Sequence, residues 1–225
     1  IVDPPTGWTV ERADAATARH DCVIEVGSQG FLTNSCGGCA HRVKRHDAQD
    51  RGHDLNRGGA RRARRAADDG RGRTGREVVV AGSMGPTGEL FAPMGALDYD
   101  DAYAAFTAQA TALAEGGVDM LWVETMSSLE EVKAAIDAAA ATGLPVAACM
   151  TFDTAAKTMM GVSPAEFAIQ SAGFGAGFVG ANCGIGPAEL LHSLHEMLPA
   201  TDVPVIAKGN CGIPAYVGGG IHYHG

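Results

Sequence analysis

The most constraining feature of this sequence is a regular alternation of short apolar runs with longer segments of helical periodicity, from Glu77 onward. The apolar runs are residues 78–82, 118–123, 145–150, 177–180 and 203–207. Their spacing of about thirty residues is typical of parallel βαβ units. No G-x-G-x-x-G sequence follows any of these runs, which disfavours a dinucleotide-binding fold. The alternation therefore predicts an α/β fold with a parallel sheet.

Helix signals fill the gaps between the predicted strands. A helix is predicted from about 100 to 115, and its apolar stripe is Tyr103, Phe106, Ala110 and Leu113. Ser128 and Glu131 form a capping box for the next helix, and Ser163-Pro164 opens another. A last helix begins at Pro187, with Leu190, Leu191, Leu194 and Leu198 expected in the core.

Each predicted strand ends in a polar or reactive side chain. These side chains are Ser83, Glu124, Asp153, Cys183 and Asn210. In a barrel of parallel strands such positions meet at one mouth, where function usually resides. We therefore predict a (β/α)8 TIM barrel. Six strands are visible if the segment around Leu32 is included, so the barrel is two strands short and incomplete at both ends.

Charge is distributed unevenly along the chain. The net charge is −9, which argues against a nucleic-acid partner, yet fourteen of the seventeen Lys and Arg residues precede Glu77. The run from Arg61 to Arg65 lacks aromatic residues, and five nearby glycines, at 58, 59, 70, 72 and 75, are expected to break any helix. We predict that this run is poorly ordered and is not a binding site.

Composition also sets expectations about compartment. No apolar run approaches the length needed to span a membrane, and no charged-then-apolar leader opens the chain, so the predicted location is the cytoplasm. The six cysteines have no regular framework spacing, which favours reduced thiols. Cys36-Gly37-Gly38-Cys39 suggests either a redox pair or half of a zinc site, and the motif alone leaves both open.

Six segments at or near the predicted strand ends are distinctive when taken together: Leu32-Thr33-Asn34-Ser35, Gly82-Ser83-Met84-Gly85-Pro86-Thr87-Gly88, Val123-Glu124-Thr125, Met150-Thr151-Phe152-Asp153, Gly180-Ala181-Asn182-Cys183 and Gly209-Asn210. With these segments the chain resembles the homocysteine S-methyltransferase family, which includes betaine–homocysteine methyltransferases and the homocysteine-binding module of cobalamin-dependent methionine synthase. The likeness is close over 77–225 and patchy over 1–76, where it depends mainly on 32–38 and 44–51. The resemblance implies that 1–225 is a single homocysteine-binding barrel domain.

The resemblance also implies a catalytic zinc held by three cysteines. Cys183 matches the family's G-x-N-C ligand, and Asn210 matches an asparagine that lies close to the metal in some members. The other two family ligands form an adjacent cysteine pair, which this sequence does not contain. Neither Cys36 nor Cys39 matches them, because both follow the second family strand. We therefore expect this chain alone to bind zinc weakly and to lack activity, and we interpret it as a piece of a larger protein.

The expected reaction transfers a methyl group from an onium-type donor to the homocysteine thiol, giving methionine. Glu124 matches the family carboxylate that binds the homocysteine ammonium, although an ordinary salt bridge at the barrel rim is its alternative. Thr33, Asn34 and Ser83 are candidates for lining the substrate pocket, and they would serve equally well as hydrogen-bond partners of the strand ends. The donor itself and the oligomeric state are not specified by these residues.

Several other residues are interpreted as structural. His192 and His195 have a metal-compatible spacing but are expected to face solvent, and His222 and His224 are placed in a terminal loop. Met159 and Met160 are expected to pack in the interior and not to form a donor site. Two alternatives to the methyltransferase are a non-catalytic barrel remnant or binding module, and a metal-free barrel enzyme that uses Glu124 and Asp153 as acid and base.

Overall fold

The computed structural model describes residues 13–47, 49–126, 128–153, 155–210 and 213–224. Six parallel strands, numbered β1 to β6, form one sheet in which every strand pairs with its neighbours in sequence. This order, with helices between the strands, is that of six consecutive strands of a (β/α)8 barrel, as predicted. The strands are β1 Gly30–Leu32, β2 Val79–Met84, β3 Met120–Glu124, β4 Val146–Met150, β5 Phe178–Cys183 and β6 Val205–Gly209.

Helices precede and separate these strands, and a hairpin follows them. The helices are α1 Ala13–Glu25, α2 Ala40–Lys44, α3 Gly52–Thr74, α4 Tyr99–Glu115, α5 Leu129–Ala140, α6 Pro164–Gly173 and α7 Pro187–Met197. Short 3-10 turns cover Gln49–Arg51 and Leu198–Ala200. Strands β7 Ile213–Val217 and β8 Gly220–His224 pair antiparallel, so the terminal loop predicted around His222 and His224 is wrong.

The core lies between the sheet and the helices. All five residues of β4 are buried, as expected for a parallel strand that is covered on both faces. The predicted stripe of α4 is confirmed: Phe106, Ala110 and Leu113 are fully buried, and Tyr103 packs against them. Hydrogen bonds cap α4, α5 and α6, because the side chains of Asp98, Ser128 and Ser163 each accept from a backbone N–H in the first turn.

The arginine-rich segment forms helix α3, so the prediction that its glycines prevent a helix is wrong. Alanines supply its buried face, because Ala60, Ala63, Ala66 and Ala67 are all in the core. Gly75 does act as a helix terminator, in a left-handed conformation with φ of 70°. The basic side chains face outward and form ion pairs at the surface; these pairs join Arg57 to Asp54, Arg64 to Asp119, Arg71 to Glu77 and Arg73 to Asp21.

Helix α7 is less deeply packed than predicted. Leu190 and Leu194 contact the core, but Leu191 and Leu198 are exposed, so two of the four leucines expected in the core are not there. Met197 takes their place as the buried apolar residue. His192 and His195 are exposed, as predicted. In the part of the chain that the structure describes, no helix is both long and apolar enough to cross a membrane.

Candidate functional site at the carboxyl ends of the strands

Glu124 is the central charged group of the mouth. It is the last residue of β3, and it is only 6% exposed. The hydroxyl of Ser83, near the end of β2, donates to Glu124 Oε1 over 2.6 Å. Lys208 Nζ donates to Glu124 Oε2 over 3.0 Å. Two of the predicted site residues, Ser83 and Glu124, are therefore in direct contact, and each carboxylate oxygen has a donor.

Lys208 is a site residue that the sequence reasoning missed. It lies on β6, which is three strands along the sheet from β3, and its side chain crosses the mouth to contact Glu124. Burial of Lys208 works against its charge, but the Glu124 carboxylate outweighs burial and raises the pKa of the lysine. The signal available in the sequence was a lone lysine at a strand end, in a region with only three lysines and no arginine.

Thr33 and Ser83 form a hydrogen-bond network that joins the ends of β1 and β2. Ser35 Oγ donates to the Ser83 carbonyl over 2.7 Å, so the Thr33 hydroxyl must donate to Ser35 Oγ. Thr33 Oγ1 in turn accepts from the backbone N–H of Ser83 over 3.0 Å. Gln109 of α4 closes the network by donating to the Ser35 carbonyl. Thr33 is thus engaged with the strand ends, and Asn34 follows it, partly buried, in the same loop.

Cys183 ends β5 in a left-handed conformation, with φ of 55°. Its neighbour Asn182 is buried and donates from Nδ2 both to Cys183 Sγ, over 3.2 Å, and to Thr125 Oγ1, over 2.6 Å. The Thr151 hydroxyl donates to the Asn182 carbonyl over 3.0 Å. The residues that follow β3 and β4 are therefore tied to the end of β5 beside the cysteine.

Asn210 lies directly against the Cys183 turn. Its backbone N–H donates to the Cys183 carbonyl over 3.2 Å, and its side-chain Nδ2 donates to the Gly184 carbonyl over 3.2 Å. The two residues predicted as metal ligands are therefore neighbours in space. Asp153, the remaining strand-exit residue of the prediction, is exposed.

The C-x-x-C pair lacks the lowered thiol pKa values that are typical of a reactive redox pair. Cys36 and Cys39 are both free thiols, and burial raises the pKa of each. Burial together with the nearby Glu124 carboxylate raises the pKa of Cys36 to about 11, whereas reactive thiols have lowered pKa values. Cys36 instead packs against Gly85, where an added Cβ would lie 2.3 Å from Cys36 Sγ.

The described residues do not fit a complete three-cysteine zinc site. Across 13–210 and 213–224, apart from the few masked positions, no group of three His, Cys, Asp or Glu side chains could hold a metal ion. Cys183 is one candidate sulfur ligand, while burial and the Glu124 charge strongly raise the pKa of the nearby Cys149 thiol. Cys211 lies outside the described residues.

A cavity of about 290 Å³ opens among the loops that follow β2, β3 and β4. Its lining is mostly apolar and includes Leu90, Phe91, Met94, Leu129, Met160 and Val162. Two acidic residues, Glu89 and Glu130, also line it, and Glu89 is paired with Arg45. The prediction that Met159 and Met160 pack in the interior is wrong, because Met159 is 76% exposed and Met160 borders this cavity.

The fold and the site together define a barrel whose mouth combines a buried carboxylate, a lysine and a cysteine at the end of a strand. The family described as homocysteine S-methyltransferase matches residues 6–225 of the chain. The chain therefore belongs to the homocysteine S-methyltransferase family, which confirms the resemblance seen in its motifs.

Two curated relatives are methionine synthases. The protein from Mycobacterium tuberculosis (strain ATCC 25618 / H37Rv) is 31% identical over 220 residues, which is 94% of this chain and 18% of that protein. The protein from Mycobacterium leprae (strain TN) is 29% identical over the same coverage. The chain thus spans less than a fifth of the length of either synthase.

A solved structure with the same architecture is the metallated form of the homocysteine methyltransferase MmuM from Escherichia coli. The TM-score is 0.79, with 91% of this chain and 75% of that chain covered. Sequence identity is 21%, so this similarity concerns the fold. It agrees with the barrel predicted from the strand–helix alternation.

Proposed function

We propose that this chain binds homocysteine at the mouth of the barrel and takes part in transfer of a methyl group to the homocysteine thiol, giving methionine. The observation that carries the proposal is the buried Glu124 carboxylate, bonded to Ser83 and Lys208 at the same strand ends as Cys183. Family membership and similarity to methionine synthases support the choice of substrate.

Glu124 is the proposed acceptor for the homocysteine ammonium. A buried carboxylate with fixed neighbours suits this role, because charge-assisted hydrogen bonds are strong and orient the ligand. Lys208 Nζ donates to Glu124 Oε2 over 3.0 Å, and a carboxylate oxygen can accept more than one hydrogen bond, so Glu124 retains acceptor capacity for the substrate ammonium. Ser83 fixes the other oxygen, so the carboxylate keeps one orientation while substrate binds.

Cys183 and Asn210 are the proposed ligands of a zinc ion that would activate the acceptor thiol. Their contact supports this, as does the metallated state named for the Escherichia coli relative. Zinc lowers the pKa of a bound thiol, so that a nucleophilic thiolate exists at neutral pH. The described residues offer one cysteine for such a site, so its remaining ligands would have to come from outside them.

The proposed donor is of the onium type. The acceptor sulfur forms a bond to the methyl carbon while the bond from that carbon to the donor breaks, and the electron pair leaves with a donor that becomes neutral. The cavity among the loops that follow β2, β3 and β4 supports this class, because its methionine, leucine and phenylalanine side chains suit a polarisable, partly apolar body.

The test is methyl transfer by the full-length protein from unlabelled S-methylmethionine or S-adenosylmethionine to homocysteine that is isotopically labelled in its carbon skeleton. Labelled methionine supports the proposal, and zinc content is measured on the same sample. We expect about one zinc per chain, lost in Cys183→Ala. Homocysteine binding without turnover by either donor would instead favour a non-catalytic binding module, and no binding at all would overturn the proposal.

A further inference from the structure

The ion pair between Glu124 and Lys208 sets two opposite charges side by side in the mouth of the barrel. Lys208 Nζ lies 3.0 Å from Glu124 Oε2, and the two side chains come from β6 and β3. The Glu124 side chain is 7% exposed, whereas that of Lys208 is 40% exposed. Lys208 is therefore the member of the pair that an incoming ligand reaches more easily.

Lys208 has hydrogen-bonding capacity left for a ligand. An ammonium group carries three N–H donors. Across the residues that the structure describes, Lys208 Nζ has one hydrogen-bond acceptor, which is Glu124 Oε2. The lysine stem is long and flexible, so the ammonium group can shift toward a ligand. Lys208 can therefore bind an anionic group without giving up its contact with Glu124.

The chemistry of an α-amino acid requires a cation beside Glu124. The ammonium and the carboxylate of such a ligand are attached to the same carbon. A ligand that bonds its ammonium to Glu124 therefore brings its carboxylate close to the Glu124 carboxylate, and like charges at such a distance repel. Lys208 is one of only three lysines after residue 77, where the chain has no arginine, and its ammonium is already at Glu124. It is placed to offset this repulsion.

We propose that Lys208 binds the carboxylate of homocysteine while Glu124 binds its ammonium, so that the ion pair selects a zwitterionic α-amino acid. This inference rests on the proposed function of the mouth. The strand register agrees with it, because Lys208 pairs with Asn182, one residue before the pair of Gly209 with Cys183. The charged end of the substrate would lie at this level, with its thiol extending toward Cys183.

Two other roles for Lys208 predict a different dependence on the ligand. If Lys208 only orients Glu124, its loss weakens every ligand whose ammonium binds Glu124. If Lys208 instead occupies the place of the substrate ammonium, its loss strengthens those ligands. A contact with the substrate carboxylate matters only for ligands that carry a carboxylate. The compound 3-mercaptopropylamine, which is homocysteine without its carboxylate, separates the three roles.

Lys133 offers a matched control. Its ammonium is also paired with a carboxylate, that of Asp137, and its side chain is 45% exposed, close to the 40% of Lys208. Both residues of this pair lie on α5, one helical turn apart. Lys133→Met therefore makes the same chemical change as Lys208→Met, in an ion pair of similar exposure that does not include Glu124.

The experiment measures the dissociation constants of homocysteine and of 3-mercaptopropylamine by calorimetry of the full-length protein, at neutral pH in reducing buffer. We expect Lys208→Met to weaken homocysteine by about tenfold, because a charge-assisted hydrogen bond is lost. It should not weaken 3-mercaptopropylamine. Lys208→Arg keeps the charge and should bind homocysteine within about threefold of the wild type. Lys133→Met should change neither constant.

Equal weakening of the two ligands, or homocysteine binding that is unchanged or stronger in folded Lys208→Met, would overturn the inference. If circular dichroism shows that Lys208→Met does not fold, Lys208→Gln decides by the same comparison, because it keeps a hydrogen-bond donor but no charge. The two proposals fail in different ways. Absence of homocysteine binding in the wild type would overturn both, whereas wild-type binding without the expected difference between ligands would overturn only the role of Lys208.

Discussion

The mouth of the barrel and its outer helical layer are built on opposite principles. At the mouth, polar groups are buried and bonded to one another, as in the Ser83–Glu124–Lys208 chain, and two residues are held in left-handed conformations. In the outer layer, α3 and the end of α4 approach closely because their contact residues are small. An added Cβ at Gly116 would lie only 2.2 Å from the Ala60 Cβ.

The two regions are therefore sensitive to different kinds of substitution. The mouth is sensitive to chemical identity, because replacing one donor or one charge removes a specific bond without altering volume. The outer layer is sensitive to volume, because a close-packed contact between small residues has no room for a methyl group. Substitutions that preserve shape should therefore affect function at the mouth, and substitutions that change size should affect stability in the helical layer.

The largest expected effect is on substrate binding in Glu124→Gln. Loss of the charge-assisted bond to the homocysteine ammonium should raise the homocysteine KM by about 30-fold, equivalent to about 2 kcal/mol. The glutamine carbonyl still accepts one hydrogen bond, but Lys208 loses its carboxylate partner, so the melting temperature should also fall modestly. Steady-state kinetics and thermal denaturation of the same preparation measure the two effects.

The control for this variant is a substrate analogue without the amino group, 4-mercaptobutyrate. Its binding should be almost equal in the wild type and in Glu124→Gln, because it has no ammonium to lose. Equal losses for homocysteine and for the analogue would show that Glu124 acts on the fold of the mouth and does not bind the ammonium. A large fall in stability without any change in KM would remove the contrast between the two regions.

The next effect in size is the loss of stability in Gly116→Ala. The added methyl group would meet Ala60 Cβ at 2.2 Å and the Arg57 carbonyl at 2.8 Å, so α3 and α4 must separate. Overpacking of this kind should lower the free energy of unfolding by about 2 kcal/mol. Gly116 has φ of −77°, so the backbone conformation itself tolerates alanine. Urea denaturation measures the loss, and an unchanged midpoint would contradict close packing at this contact.

A smaller change of opposite sign is expected for Gly72→Ala in the same helical layer. Gly72 lies inside α3, and an added Cβ would meet nothing within 4 Å. Alanine should therefore increase the free energy of unfolding by about 0.5–1 kcal/mol, because glycine is unfavourable within a helix. The same urea experiment measures it. Destabilisation by both alanines would show that α3 responds to something other than local volume.

The sequence predicted the fold correctly where the alternation of strands and helices agreed with the polar residues at the strand ends. Strands β2 to β6 were placed to within a few residues, and Ser83, Glu124, Cys183 and Asn210 were assigned to one mouth because parallel strands present their carboxyl ends together. The sequence did not indicate which side chains of the mouth contact one another. The ion pair between Glu124 and Lys208 depends on side chains that cross from one strand end to another, and no local pattern encodes such a contact.

The sequence reasoning failed over 52–74 for a physical reason. Glycine, which is unfavourable within a helix, and arginine, which is not apolar, dominate this stretch, and together they obscure the alanine stripe that packs against the core. Alanine is the strongest helix former and is small enough to allow close contact between helices, so tertiary packing outweighed the unfavourable glycines. An alanine stripe at positions 60, 63, 66 and 67 was the signal that could have identified α3.

The smallest expected effect concerns His20, which connects the outer layer to the sheet. The ring stacks on Phe31 of β1, with centroids 4.6 Å apart, and burial lowers the pKa of this histidine. Asp21 opposes that shift weakly, and Arg19 adds to it. The folded state therefore favours the neutral ring, while in the unfolded chain a histidine takes up its proton near pH 6.5. The contribution of the neutral His20 ring to the free energy of unfolding is therefore fully present above that pH. It is lost as the pH falls from there through the pKa of His20 in the folded state.

His20→Gln removes this titration but keeps a polar side chain of similar reach. The variant should be somewhat less stable than the wild type at pH 8, because the stacking with Phe31 is lost at every pH. The difference in the free energy of unfolding between the two proteins should become smaller as the pH falls from 7 to 5, because only the wild type has a buried ring that must stay neutral on folding. Urea midpoints across this range measure the slope. If the urea midpoints of the two proteins instead change in parallel with pH, protonation of His20 has no effect on stability and the inferred role of its burial is wrong.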